Sequence, residues 1–440
     1  MGEKTSMYLS VIVINKNRGN VLDYCLNAII SQMEYKDELI LVDDSSTDDS
    51  LKVIKKFRNS ITQFVQINSG GNRSKARNAG AQLCRNEIII FIDSDVIIGP
   101  NNLEITRSAY EDNELVGTTG NVAGNSCNEL QFELIAKKKA TELLQEILLN
   151  FNVIAEYYGI FDYRYNNPDL TRNPYDNWPF YYTSYASARK SVFVKIRGFD
   201  ENFKTWGSED IEFGYRLNQV GKIVHLNECI AFHFPHEKNY YENSLCNINN
   251  LYYILKKHQN LDFEIYTAFL GSDRKLLKEE LVKLYVYISQ EQNSRISIKE
   301  KEMAIHFSNN QFKNGVIEYS LNKNIEKMEL FGFAIPFINK SFDVVYISKK
   351  YKILPESIFC RVVQEAIRLA KRVLLEKGEL KQKPYLDKDI FHNNSPLLLG
   401  VSYISERYLD FEINDYDARY YEIKWAQKAG IGIQKNIFCI

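Results

Sequence analysis

The run Glu87-Ile-Ile-Ile-Phe-Ile-Asp93-Ser94-Asp95 is a short, almost wholly apolar segment closed by two carboxylates one residue apart. A block of isoleucines and a phenylalanine this short reads as a buried strand. Along an extended chain residues i and i+2 project the same way, so Asp93 and Asp95 are expected to face one divalent cation. Hard carboxylate oxygens suit Mg²⁺ or Mn²⁺, ions that keep positions open for phosphate oxygens. An isolated Asp-x-Asp is as often a solvated acidic turn, so its meaning depends on the surrounding pattern.

That pattern is an alternation. Residues 9–14, 38–42, 61–67 and 87–92 read as strands, and amphipathic stretches near 20–32, 47–58 and 73–84 read as helices between them. Near-continuous Val/Ile strands separated by helices predict an α/β fold with a mostly parallel sheet, which binds ligands at the carboxyl ends of its strands. The polar sequences fall at those ends: Asn15-Lys16-Asn17-Arg18, Asp43-Asp44-Ser45-Ser46-Thr47-Asp48 and Asp93-Ser94-Asp95.

Composition narrows the class. A chain of 440 residues exceeds one typical domain, and 55 basic against 56 acidic residues leave a net charge of −1, without the basic stripe of a nucleic-acid binder. The seven cysteines, at 25, 84, 127, 229, 246, 360 and 439, form no Cys-x-x-Cys pair. They read as reduced thiols in a cytoplasmic setting. No apolar run reaches the roughly 18 residues of a membrane span.

Four motifs follow one another in a distinctive order: Ser10-Val-Ile-Val-Ile14, Val42-Asp-Asp-Ser-Ser-Thr-Asp-Asp-Ser50, Gly70-Gly-Asn-Arg-Ser-Lys-Ala-Arg-Asn-Ala-Gly80 and Phe91-Ile-Asp-Ser-Asp95. Arg197-Gly-Phe-Asp-Glu201 and Trp206-Gly-Ser-Glu-Asp-Ile-Glu-Phe-Gly-Tyr-Arg-Leu217 come after them. Over roughly residues 8–265 the chain resembles family-2 glycosyltransferases of the GT-A fold, with an acceptor segment like those of chondroitin-polymerase-like and polypeptide N-acetylgalactosaminyl- or galactosyltransferase-type enzymes. One departure is Ile14-Asn15 where the family usually has Pro-Thr. The resemblance implies an inverting, metal-dependent transfer of a hexose or N-acetylhexosamine from a UDP-sugar to a hydroxyl. The acceptor would be a glycan, as in capsule or surface polysaccharide, or alternatively a peptide side chain. A non-catalytic sugar-nucleotide-binding scaffold, or a transferase fused to a methyltransferase, is the alternative of another class.

By that resemblance Asp210 is the general base and Glu209 binds an acceptor hydroxyl. Asp93 and Asp95 serve Mn²⁺ (or Mg²⁺), and in Cys229-Ile-Ala-Phe-His233-Phe-Pro-His236 a third ligand is expected, His233 rather than His236. Asp44 is the candidate for the uracil edge, and Lys75 and Arg77 for the base or diphosphate. Asn15, Asn17, Ser94, Trp206 and Gly207 complete the candidate donor site, Trp206 as a stacking platform. Ser208 is placed to cap a helix whose dipole favours ionised Glu209 and Asp210. The plain alternatives are solvated helix charges for Lys75 and Arg77, and a hydrogen-bonded core histidine for His233.

Between the motifs, residues 126–185 predict a helical stretch with an apolar face of Leu130, Leu134, Leu143, Leu144, Ile147 and Leu148, then an aromatic loop from Tyr157 to Tyr182. A helical linker is expected over 266–290. Beyond it, Ala334-Ile-Pro-Phe-Ile-Asn-Lys-Ser-Phe-Asp-Val-Val-Tyr-Ile-Ser348 resembles the middle of a class I methyltransferase, but residues 290–333 hold only Gly315 and Gly332. A methyl-donor site needs a Gly-rich turn, so 291–440 is expected to be a shortened, non-catalytic α/β module for acceptor docking or for contact between two copies in a homodimer.

Overall fold

The fold is that of a computed structural model. It describes residues 7–124, 162–166, 174–236, 238–268, 296–307, 315–354, 356–378 and 411–425, with single positions at 142, 145, 146, 149, 157, 278 and 281. The apolar face expected at Leu130, Leu134, Leu143, Leu144, Ile147 and Leu148, and most of the expected linker, lie outside the described residues. The chain divides into two compact units, 1–247 and 248–440.

In the first unit the expected alternation is present: β1 (Leu9–Asn15), α1 (Leu22–Ile30), β2 (Glu38–Asp44), α2 (Ser50–Lys56), β3 (Gln63–Ile67), α3 (Arg73–Leu83) and β4 (Ile88–Asp93). Next come β5 (Val96–Ile98), α4 (Asn102–Ala109), β6 (Leu115–Ala123), β7 (Tyr185–Arg189), α5 (Lys190–Lys195), α6 (Glu209–Asn218) and β8 (Lys222–His233). The eight strands form one sheet in the order β3-β2-β1-β4-β7-β6-β8-β5. β3, β2, β1 and β4 run parallel, and β7 reverses direction against β4. Strand order reverses between β1 and β4, the switch point at which open α/β sheets hold ligands. β3 begins two residues later than expected and its burial alternates, because it is the edge strand and shows one face to solvent.

Alternation sorts the side chains. Leu9, Val11, Val13, Leu39, Leu41, Ile88, Ile90 and Ile92 join Leu22, Cys25, Leu26 and Ile29 of α1 in one core. On the other face α3 lies close, because a Cβ on Gly80 would stand 2.6 Å from Ile12 Cγ2. Phe91, on that same face, meets an aromatic cluster: Phe199 stacks on Phe213 at 4.1 Å between ring centroids, and Phe91 packs edge-on to Phe199 at 5.2 Å. Phe213 belongs to α6, so burying these rings fixes α6 beneath the end of β4. The aromatic loop divides in its described part: Trp178 and Tyr181 are core, whereas Tyr163 and Tyr175 are exposed.

The second unit has its own seven-stranded sheet. α7 (Tyr240–His258), which begins in the first unit, leads into α8 (Leu261–Ala268), β9 (Glu302–Phe307), β10 (Gly315–Ser320), β11 (Glu326–Met328), β12 (Phe342–Ile347), α9 (Glu356–Leu369), β13 (Ala370–Glu376), β14 (Phe411–Asp415) and β15 (Tyr420–Trp425). The strand order is β11-β10-β9-β12-β13-β15-β14. β9, β12 and β13 are parallel, but β10 runs antiparallel to β9. Glu264 of α8 accepts from the amides of Gly332 at 2.9 Å and Phe333 at 3.0 Å. Burial pushes its carboxyl up to about 7 even against these donors. Of the seven cysteines, five are described, and all five are free thiols.

Candidate active site

Three loops meet at the switch point. After β1, the Asn15 amide donates to Asp43 Oδ1 at 2.8 Å and to Ser46 Oγ at 3.1 Å. Asn17, in the left-handed region at φ 52°, accepts from the Thr47 amide at 2.7 Å. These two predicted donor-site residues therefore tie the first loop to the second. Asn15 Oδ1 is buried without a partner. Asp44 is buried, and its oxygens accept from the amides of Ser69 at 2.6 Å and Gly71 at 2.9 Å, with Lys16 Nζ at 3.1 Å. Burial opposes ionisation here, but the amides outweigh it and its pKa is lowered.

The strand argument for the acidic pair needs correction. β4 stops at Asp93, and Ser94-Asp95 form a turn, so the two carboxylates do not follow the alternation that would aim both at one ion. Ser94 is buried and donates its amide to Ile14 O at 3.3 Å. Asp95 turns toward the end of β8, where it stands with His233 and His236 in a group whose donor atoms lie within 4.8 Å of one another. His233 Nε2 is 3.6 Å from Asp95 Oδ1, and His236 Nε2 is 3.5 Å from Oδ2. The sequence favoured His233 over His236; the structure brings in both. Burial would raise the Asp95 pKa, yet His233 and Arg18 hold it at about 2. Burial lowers His233, which favours the neutral imidazole that ligates metals. His233 Nδ1 is buried with no hydrogen-bond partner, unlike a satisfied core histidine. One ionised carboxylate and two imidazoles form a donor set that fits a divalent transition metal such as Mn²⁺.

Asp93 stands outside that group. Its Oδ1 takes Arg77 Nη2 at 3.2 Å, while Arg77 Nη1 binds Glu209 Oε1 at 3.0 Å. Arg77 is 2% exposed, so it is a buried fork between β4 and α6 rather than a surface cation for a base or diphosphate. Lys75 is an exposed side chain on the first turn of α3. Burial raises Asp93, with Arg77 opposing. Burial would also raise Glu209, but Arg77 and then Arg73 outweigh it and lower the pKa. Arg73, exposed at the start of α3, thus acts through its charge on both carboxylates, a part that nothing in the sequence reading pointed to.

Two expectations about α6 fail for physical reasons. Ser208 occupies the cap position at φ 61°, but makes no side-chain cap bond. Its hydroxyl instead donates to Asn247 Oδ1 at 2.7 Å. Gly207 before it has φ +110°, and a Cβ there would lie 2.6 Å from Asn247 Oδ1, so glycine is required at this turn. For Asp210 the ionised form is not favoured as expected: burial first, and then the charge of neighbouring Glu209, push its carboxyl up to about 7. It is half-buried and accepts from the Thr183 amide at 3.4 Å. Trp206 leaves 44% of its surface exposed beside this turn.

Known proteins resemble the chain over the region that holds these residues. Residues 10–197 match the family model described as glycosyl transferase family 2, and residues 172–237 match the N-terminal domain of galactosyltransferase. The chain is 26% identical over 275 residues to validoxylamine A glucosyltransferase of Streptomyces hygroscopicus subsp. jinggangensis, covering 59% of this chain and 63% of that one. It is 29% identical over 239 residues to hyaluronan synthase of Pasteurella multocida, covering 51% of this chain and 24% of that protein. It therefore spans less than two thirds of the length of either relative. Among solved structures, S. aureus TarS 1–349 in complex with UDP-GlcNAc aligns at a TM-score of 0.43 and 18% identity, covering 64% of this chain and 73% of that one. The matched segment contains the three loops, and the second match ends just past His236. Over residues 10–197 the first unit is accordingly similar to family-2 glycosyltransferases, and over residues 172–237 to the N-terminal domain of galactosyltransferase.

Proposed function

We propose that the chain is an inverting glycosyltransferase that moves a hexose or N-acetylhexosamine from a UDP-sugar to a hydroxyl of a glycan acceptor, with Mn²⁺ or Mg²⁺ at the donor diphosphate. The observation that carries this is the convergence of Asp95, His233 and His236 with the Arg77-linked carboxylates Asp93 and Glu209, next to a half-buried Asp210 poised near neutral pH. When bound, the cation supplies Lewis-acid neutralisation of the leaving diphosphate. Asp95, His233 and His236 would hold it, and Asp93 would face the donor sugar.

Asp210 takes the proton of the attacking hydroxyl. The acceptor's hydroxyl oxygen forms the bond to the anomeric carbon while the bond from that carbon to the diphosphate oxygen breaks, and UDP leaves with the electron pair. One displacement inverts the anomeric configuration. A carboxylate with a pKa near the working pH is suited to this role, because it is both available as a base and strong enough to accept the proton. Arg77 keeps Glu209 ionised beside it, and that charge in turn keeps Asp210 basic. UDP release from a panel of nucleotide sugars with Mn²⁺ present, compared with a chelated control, tests the reading. No release from any UDP-sugar, or release unchanged by exhaustive chelation, overturns it.

A further inference from the structure

Two arginines touch the acidic groups of the site, and they are built differently. Arg77 is buried and both ends of its fork are occupied. Arg18 is 31% exposed in its side chain and is held by Nε to Asp95 Oδ2 at 2.8 Å and by Nη1 to Asn17 O at 3.2 Å. Its backbone is pinned: Arg18 O accepts from the amides of Val21 at 3.0 Å and Leu22 at 2.9 Å, and the next amide, of Gly19, reaches Asp48 at 2.9 Å. A fixed base with a partly water-accessible guanidinium, joined to the carboxylate through Nε alone, describes a side chain able to change partners. The oxygen it holds is contested, since Asp95 Oδ2 is also the one that His236 Nε2 approaches at 3.5 Å.

We propose that Arg18 is an exchange residue of the donor site. With no metal present its guanidinium neutralises Asp95. When a divalent cation takes that carboxylate together with His233 and His236, Arg18 is displaced and offers its planar donors to the diphosphate of the nucleotide, which it is suited to bind in a bidentate manner. The inference rests on the donor-site reading above and adds a positioning residue that competes with the metal before it assists the nucleotide.

The test uses the full chain, native and as Arg18→Ala and Arg18→Lys, with two measurements. The first is Mn²⁺ affinity without nucleotide, by titration calorimetry or the electron paramagnetic resonance of free Mn²⁺. The second is UDP affinity at saturating Mn²⁺. Arg18→Ala should bind Mn²⁺ several-fold more tightly than the native chain, because a competing cation is gone. It should bind UDP about tenfold or more weakly, the size of a lost hydrogen bond to a charged group. Arg18→Lys, keeping the charge without the fork, should fall between on both. A residue that merely holds the loop in shape would weaken both affinities together, and that result, or unchanged UDP affinity in Arg18→Ala, overturns the proposal. A native chain that binds neither Mn²⁺ nor UDP refutes the donor-site reading itself, and the role of Arg18 with it.

Discussion

Asp210, the proposed base, is where catalysis and stability would pull against each other. Its carboxyl is raised from an ordinary 3.8 to about 7, so the folded chain holds a proton that the unfolded chain releases between those values. The group's contribution to stability is then fully present below about pH 4 and is lost as pH rises through about 7. Asp210→Asn removes the cost of burying the charge and should stabilise the protein at pH 8 by roughly 1–4 kcal/mol, with little gain near pH 4. The same substitution should lower kcat by ~10²–10⁴, the usual contribution of a general base. In the native enzyme kcat/KM should rise with pH toward a plateau above about 7, and this rise should be missing from the variant. Thermal unfolding at two pH values and a pH–rate profile check both signs; a variant that is destabilised at pH 8, or turns over normally, sinks the assignment. The residue types of this site were legible in the sequence, since Asp93, Asp95, Glu209, Asp210 and His233 all come to the switch point. Their pairings were not. Arg77 looks like a helix-surface cation, and its partner Glu209 lies 132 residues away. The turn that swings Asp95 away from Asp93 follows only from how β4 ends.

Elements carry the site through packing. α6 bears Glu209 and Asp210, and its place is set by Phe213, fully buried against Phe199, Phe193 and Phe91. The candidate metal group of Asp95, His233 and His236 belongs instead to the turn after β4 and to β8 with its following loop. Phe213→Leu keeps an apolar side chain but removes the stacking, so α6 should loosen while those elements keep their places. A displacement of the base by about an ångström costs roughly 10²-fold. The expected outcome is therefore a fall in kcat of about 10–100-fold with Mn²⁺ affinity unchanged. Calorimetric Mn²⁺ titration beside steady-state kinetics decides it, and an equal loss of metal binding would mean that the two sets of ligands are not separately supported. β1, β2 and β4 were readable because they are runs of Val, Ile and Leu buried on both faces, whereas the edge strand β3 alternates in burial. β6 and β7 escaped the sequence reading: Leu-Val-Gly-Thr-Thr-Gly-Asn-Val-Ala and Tyr-Ala-Ser-Ala-Arg carry little β propensity. They are strands because of the neighbours they pair with, which sit far off in the chain.

At the scale of the whole molecule, each unit has a sheet of its own, and unfolding should reflect that. Calorimetry of the full chain should show two transitions, since separate cores need not melt together. On the proposed function Mn²⁺ with UDP would bind the folded first unit and should raise only one of them, by about 2.7 kcal/mol of linkage at a ligand concentration a hundred times Kd, or several degrees for a unit of this size. S-adenosylmethionine should raise neither. In the second unit the strand after β9 runs antiparallel to it, so among the described residues no strand–turn–helix crossover follows β9 to form the Gly-rich cradle that such a ligand requires. Gly315 lies within β10, and Gly332 sits in the turn whose amides are already taken by Glu264. A shift of the second transition by S-adenosylmethionine would restore the methyltransferase alternative. A single transition that moves as a whole with UDP would mean that the second unit is needed to fold the first, and its part in the reaction would then have to be sought in stability rather than in acceptor docking.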